Sequence, residues 1–215
     1  GKVCSVTMTY EIHPDGAIVA KEKMNDKGEL SKAPCLFRFG MKLAMPGEFS
    51  TLDFYGLGPW DNYCDRKSAA LLGHYVQRVQ DQYWYGYVRT QESGTKSDLR
   101  WMKVLSSSGT GIEITSDARF SGSALPFSQK QMDSALSDPR PRKNPTNQQA
   151  GEATHSLELL PLAHNDARSL GTTYVNFDLK EMGVGGTDSW GRWPLEPYLV
   201  RPAEYEFNFV IRPVK

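Results

Sequence analysis

The stretch Cys4-Ser5-Val6-Thr7-Met8-Thr9-Tyr10-Glu11-Ile12-His13-Pro14-Asp15-Gly16 decides the fold class. Apolar residues fall on every second position from Cys4 to Ile12. That is the period of a strand with one face turned to a core, and it does not suit a helix. His13-Pro14-Asp15-Gly16 ends the run as a turn, because proline presets φ and glycine accepts the left-handed conformation. Residues 17–24 then return, which predicts a β-hairpin.

Outward from the hairpin, residues 35–44, 51–55, 75–79, 99–105, 111–115, 119–123, 172–179 and 204–214 read as further strands. The last alternates cleanly, with Tyr205, Phe207, Phe209 and Ile211 on one face. Only residues 129–136, after the cap Ser128, read as a short helix. Many short strands separated by turn signals predict an all-β chain, an antiparallel β-sandwich. No helix long enough for a parallel crossover lies between them. The 215 residues are read as a single sandwich domain spanning 1–215. Residues 137–154, rich in Pro, Asn, Gln and Arg, are read as a mobile surface insertion, since they offer little apolar area to offset their ordering entropy.

Lys plus Arg and Asp plus Glu each total 25, a formal net charge of zero. Nucleic acid and anionic membranes are therefore not expected partners, because both call for a basic excess or a basic face. No apolar run approaches the length of a membrane span. Gly1-Lys2-Val3 shows no signal-peptide pattern and starts abruptly in a strand-like stretch, as a piece of a longer chain would. The three cysteines, Cys4, Cys35 and Cys64, form no paired motif and read as small buried hydrophobes. A Cys4–Cys35 disulfide would require adjoining strands. Cysteine usage leaves the compartment open.

The chain lacks a Gly-x-Ser-x-Gly elbow, a His-Glu-x-x-His pair and a phosphate-binding loop. His13 and His164 read as solvated, and His74 and His155 as structural donors. Asp61, Asp65, Glu92 and Asp188 lie in loops beside aromatics and are the candidates for a glycosidase carboxylate pair. Loop aspartates more often cap turns, so no such pair is expected. Trp60, Tyr63, Tyr83, Trp84, Tyr85, Tyr87, Trp190 and Trp193 also gather in loops. Sugar rings stack their C–H faces on such rings, and neighbouring Asp, Asn and Ser hydrogen-bond their hydroxyls. Most of these aromatics are expected to plug the ends of the sandwich. Trp190 differs, because Gly185-Gly186-Thr187-Asp188-Ser189 precedes it and can present the indole at a loop tip.

Three runs resemble a known family. Residues 54–66, Phe-Tyr-Gly-Leu-Gly-Pro-Trp-Asp-Asn-Tyr-Cys-Asp-Arg, are similar to its W-x-G-x-G-P-x-E-N-Y-x-D-R. Residues 87–94, followed by Asp98-Leu99-Arg100-Trp101, are similar to its Y-V-x-P-x-E-N-G…D-x-R-W. Residues 182–190 are similar to its M-G-x-G-G-D-D-S-W. Their order and spacing, over about residues 36–215, resemble the carboxyl-terminal or small-chain domain of glycoside hydrolase family 2 β-galactosidases. Asp61 stands for a glutamate, Ser93 for an asparagine and Thr187 for an aspartate.

The resemblance implies a super-sandwich of the galactose mutarotase-like kind that lacks its first strands. It places the catalytic glutamates and a divalent metal in a separate barrel, leaving no catalytic residue, metal or cofactor in this chain. It makes Trp190 the substrate contact, with Asp188 and Ser189 supporting its loop, and Trp193 and Tyr63 as further candidates. The implied partners are the remaining domains of the enzyme and a galactoside, and an exposed sheet edge could pair with another copy. Two other readings stay open, a stand-alone carbohydrate-binding module and an aldose mutarotase-like enzyme.

Overall fold

The opening hairpin forms as its alternation dictates. Strand β1 (Ser5–Ile12) pairs antiparallel with β2 (Ile18–Asn25), with Tyr10 opposite Ala20. The Gly16 amide donates to the His13 carbonyl at 2.9 Å and the Ala17 amide to Asp15 Oδ1 at 3.0 Å. Gly16 takes φ +86°, which explains the glycine. These coordinates are a computed structural model that describes residues 4–25, 35–83, 92–129, 132, 171–185 and 191–215. Residues 137–154 and most of the expected helix at 129–136 lie outside the described residues.

The long strand β7 (Gly111–Leu125) is the trunk of the sheet. Along one edge it pairs with β6 (Lys96–Leu105), with bulges around Leu99. Along the other, residues 111–116 pair with β9 (Tyr205–Val214), and residues 121–125 pair with β8 (Thr172–Glu181). The sequence predicts two strands here, because Ser116-Asp117 interrupts the apolar pattern. The chain instead runs through as one strand, and the polar residues mark its change of partner. Ser116 Oγ donates to the Asn208 carbonyl at 2.8 Å, and Asn208 Nδ2 donates to Asp117 Oδ2 at 3.0 Å.

Three arms grow from this trunk, all antiparallel. From β9 the sheet continues to β2 and β1; from β8 it continues to β3 (Arg38–Pro46). From β6 it continues to β4 (Thr51–Gly58) and β5 (Leu71–Arg78). The first two arms stack face to face, which makes the molecule a β-sandwich. Phe177 of β8 stands edge-on to Phe209 of β9 at 5.0 Å, and Phe39 of β3 lies 5.5 Å from Tyr205 of β9. Phe54, Phe120, Phe177, Phe207 and Phe209 are fully buried in one continuous core. Burial of such rings is the main favourable term for the fold.

The alternation of β1 is only partly used. Cys4 and Met8 pack on the core, whereas Val6, Tyr10 and Ile12 are 49%, 50% and 76% exposed. β1 is the last strand of its arm, so the opposing layer stops short of these side chains. Tyr83 joins Leu125, Phe127 and Met132 in a second small cluster, the end-plugging role expected of a loop aromatic. The three thiols are free, so Cys4 and Cys35 form no disulfide. Among the described residues no helix is long and apolar enough to cross a membrane.

Candidate functional site

The described parts of the three family-like runs, residues 54–66, 92–94 with 98–101, and 182–185, are separate in sequence and lie together in the fold. The first continues from β4 into the loop at residues 59–66. Asn62 holds that loop down: its amide donates to the Thr95 carbonyl at 2.8 Å, and its Nδ2 donates to the carbonyls of Leu57 at 2.9 Å and Trp60 at 3.0 Å. Its Oδ1 accepts from the Ser97 amide at 3.0 Å and from the Ser97 hydroxyl. A single buried amide side chain therefore ties the first run to the end of the second.

Residues 63–66 form a tight turn, with the Tyr63 and Arg66 backbones exchanging hydrogen bonds of 3.2 and 2.9 Å. Arg66 pairs with Asp61 at 3.2 Å and covers the Tyr63 ring at 5.2 Å. Asp65 projects from this turn towards the third run. Its Oδ1 accepts the Val184 amide at 3.1 Å and its Oδ2 accepts the Gly185 amide at 2.8 Å. Two consecutive N–H groups can converge on one carboxylate only where the backbone curls, and Gly185 has φ +72°. Gly183 passes so close that a Cβ there would lie 2.4 Å from Asp65 Oδ2. Upstream, the Met182 amide donates to Phe37 and the Gly183 amide to Tyr198, both at 2.9 Å.

Beneath the loops lies a buried charge cluster centred on Arg38. A bulge between Phe39 and Gly40 sets Arg38 opposite Glu181 and Gly40 opposite Asp178, so that both acids reach the guanidinium. Arg38 lies 2.7 Å from Glu181 Oε1, 3.1 Å from Asp178 Oδ2 and 3.8 Å from Glu92 Oε2. Burial pushes the Asp178 carboxyl up to about 7, against the pull of Arg38. Burial also pushes Glu181 up, and the nearby Glu92 charge adds to that. Burial works against the charge on Arg38, but Asp178, Glu181 and Glu92 outweigh it and hold the guanidinium protonated. Burial, then the charge on Glu92, raises Tyr63 well above the ordinary phenol range. The Arg38 pairs tie β3 to β8 and to Glu92.

The predicted site residues fare differently. Trp190, Asp188 and Ser189 lie outside the described residues. Trp193 is 46% exposed on the segment that follows them, and Trp60 is 73% exposed at the tip of the first loop. Tyr63 is only 2% exposed, so within this chain its ring supports the loop from below and offers no open face for stacking. Asp61, Asp65 and Glu92 are engaged with Arg66, the Val184–Gly185 backbone and Arg38, and form no carboxylate pair across a cleft. His74 pairs with Asp53 at 2.6 Å on an open face. The Cys64 thiol lies 3.5 Å from the Glu181 carbonyl, and burial raises its pKa, so it is a packing residue. Among the described residues no group of three or more His, Cys, Asp or Glu side chains could hold an ion.

Sequence reasoning missed Arg38 altogether and offered Asp65 only as a candidate for a carboxylate pair and as part of the first family-like run. Nothing around Arg38 in the sequence distinguishes it from a surface arginine. For Asp65 a faint signal existed, since glycines at 183, 185 and 186 announce a backbone that something must approach closely.

A family model described as "Beta galactosidase small chain" matches residues 1–211. A β-galactosidase of Halalkalibacterium halodurans is 30% identical over 206 residues, covering 95% of this chain and 18% of the relative. One of Lactobacillus delbrueckii subsp. bulgaricus is 31% identical over 188 residues, 87% of this chain and 15% of the relative. One of Priestia megaterium is 29% identical over 213 residues, 99% of this chain and 18% of the relative. The chain thus spans less than a fifth of the length of these curated relatives. With the all-β fold and three converging runs, these matches show that the chain belongs to the β-galactosidase small-chain family.

Proposed function

We propose that this chain is a non-catalytic sandwich region of a β-galactosidase that hydrolyses terminal β-D-galactosides, and that it supplies one wall of the sugar site through Trp190. The supporting observation is that the described parts of the three runs lie together, with Asp65 holding the Val184 and Gly185 amides by two hydrogen bonds. On this reading Asp188 and Ser189 support the loop, and Trp193 borders it. The bond-breaking carboxylates and any divalent metal belong to other domains of the enzyme, which are the partners of this chain. Stacking of a hexose on the indole favours binding and orientation and leaves proton transfer to those other groups.

Replacing Trp190 by alanine in the complete enzyme tests this. The expected result is a loss of affinity for lactose, or for glucose as acceptor, of about tenfold or more, with a smaller loss of kcat on an activated aryl galactoside. Unchanged affinity for both sugars would overturn the reading.

The exposed indoles of Trp60 and Trp193 favour a second reading, a carbohydrate-binding module that works alone. Tryptophan fluorescence titrated with galactose and lactose separates the two. Millimolar or tighter binding by the chain alone supports the module. A mutarotase has less support, because the described histidines His13 and His74 sit on open surface beside Glu11 and Asp53.

A further inference from the structure

We infer that the sandwich is open between β1 and β3, and that an extended strand from another part of the enzyme closes it by pairing with the free edge of β3. The inference rests on one part of the proposed function, that this chain works within a larger β-galactosidase, and not on the role of Trp190. The two stacked layers are unequal. From the trunk β7 one layer runs through β9 and β2 to β1, whereas the other runs through β8 to β3 and ends there. Among the described residues β1 pairs only with β2, and β3 only with β8. Both free edges therefore flank the same opening.

The side chains record the gap. Val6, Met8, Tyr10 and Ile12 share one face of β1, because successive side chains of a strand alternate. Met8 packs on the core, so this is the inward face, and yet Val6, Tyr10 and Ile12 are exposed on it. In the facing layer Met41, Leu43 and Met45 of β3 touch the core and stay partly open to solvent. Glu22 of β2 sits between Met8 of β1 and Phe207 of β9 and is 7% exposed. Its Oε2 is buried without a hydrogen-bond partner among the described residues, and burial pushes the carboxyl up. The Glu22 charge also adds to the upward push on Asp178 that burial begins, so Glu22 faces across the space between the layers. A buried acceptor without a donor is costly, which makes Glu22 an unmet demand beside the opening.

These features select one occupant. A strand added to β3 would lie opposite β1 and cover Val6, Tyr10 and Ile12. A strand added to β1 would lie beyond the facing layer and leave them open. The unpaired amides and carbonyls of the β3 edge suit the backbone of an extended segment. The β1 face suits apolar side chains at alternate positions of that segment, and Glu22 suits a hydrogen-bond donor among them. The match to this chain takes up less than a fifth of each relative, so such an enzyme has ample further chain from which to supply the strand.

The test uses the complete enzyme. Ile12→Cys places a thiol at the most exposed of the three positions, and its alkylation is read at that position by mass spectrometry, folded and in urea. The thiol should react about a hundredfold or more slower in the folded enzyme. Hydrogen exchange at single-residue resolution should show the β3 amides turned away from β8 protected as well. Glu22→Leu leaves the incoming donor without an acceptor, and should speed exchange of those amides about tenfold. On the 215-residue chain alone the Ile12→Cys thiol should react nearly as fast as in urea.

Fast labelling of the folded enzyme would overturn the inference, because the β1 face is then open. A protected thiol with fast exchange along β3 would also overturn it, since the cover is then no strand on that edge. Unchanged or slower exchange in Glu22→Leu would show that the strand brings no donor, against the occupant described. Slow labelling of the 215-residue chain alone would mean that the chain, or a second copy of it, covers its own face, and the inference fails. Whether Trp190→Ala changes sugar affinity decides the proposed function and leaves each of these readouts where it was.

Discussion

Replacing Arg38 by methionine removes a cation that Asp178, Glu181 and Glu92 share while keeping a side chain of similar reach. The consequence depends on pH in a direction fixed by the burial of the acids. In the folded chain burial raises Asp178 from 3.8 to about 7, and Glu181 moves the same way. Between about pH 4 and 7 the folded protein therefore holds protons that the unfolded chain has released, so its stability falls as pH rises through that window. At about 1.36 kcal/mol per pKa unit, Asp178 alone sets a ceiling of about 4 kcal/mol on this loss.

At pH 5 both acids are largely protonated, and Arg38→Met removes mainly hydrogen bonds, at about 1–2 kcal/mol. At pH 8 it strands buried carboxylates without a cation, at about 3–5 kcal/mol. Urea unfolding followed by tryptophan fluorescence at the two pH values measures both effects, provided the m-value is unchanged. The wild-type chain should be more stable at pH 5 than at pH 8, and the variant should show a steeper decline. Equal losses at both pH values, or a wild-type chain that gains stability towards pH 8, would refute the account of the cluster.

Other perturbations test the frame around the site. Phe207→Ala empties a fully buried position that touches Phe120, Phe177 and Phe209, and should lower unfolding stability by about 3–5 kcal/mol in the same urea assay. Gly94 and Gly109 have similar positive φ values, +79° and +83°, but an added Cβ meets the Gln82 carbonyl at 2.8 Å at the first and open space at the second. Gly109→Ala should therefore cost about 1 kcal/mol from backbone strain alone, and Gly94→Ala distinctly more. Equal thermal shifts for the two would show that the close approach at Gly94 does not matter.

The strands were legible because alternation reports one-sided burial directly. Tyr205 to Ile211 could be assigned to a face before any neighbour was known, and Phe207 and Phe209 are indeed in the core. The break at Ser116-Asp117 misled because a change of strand partner and an end of strand look alike in sequence: both place polar residues where one ladder stops. The outward-lying β1 residues show the same limit, since Val6 and Ile12 carry a core pattern whose opposing layer stops short of them.

The site divides along the same line. Local chemistry, glycines before an indole and aromatics gathered in loops, pointed to Trp190 as a sugar contact, and the resemblance made that the leading reading; the residue lies outside the described residues. Only the tertiary structure decided what each residue does there. Tyr63, a candidate contact in the sequence, has its ring buried beneath the turn, and Asp65 became an anchor because Gly183 leaves room for its carboxylate beside two converging amides. Arg38 acquired two of its three acids, Asp178 and Glu181, because an extra residue in β8 shifts the register by one. A sequence specifies side-chain chemistry and local periodicity; long-range contacts arise from strand pairing, and those pairings decide which charges are buried together.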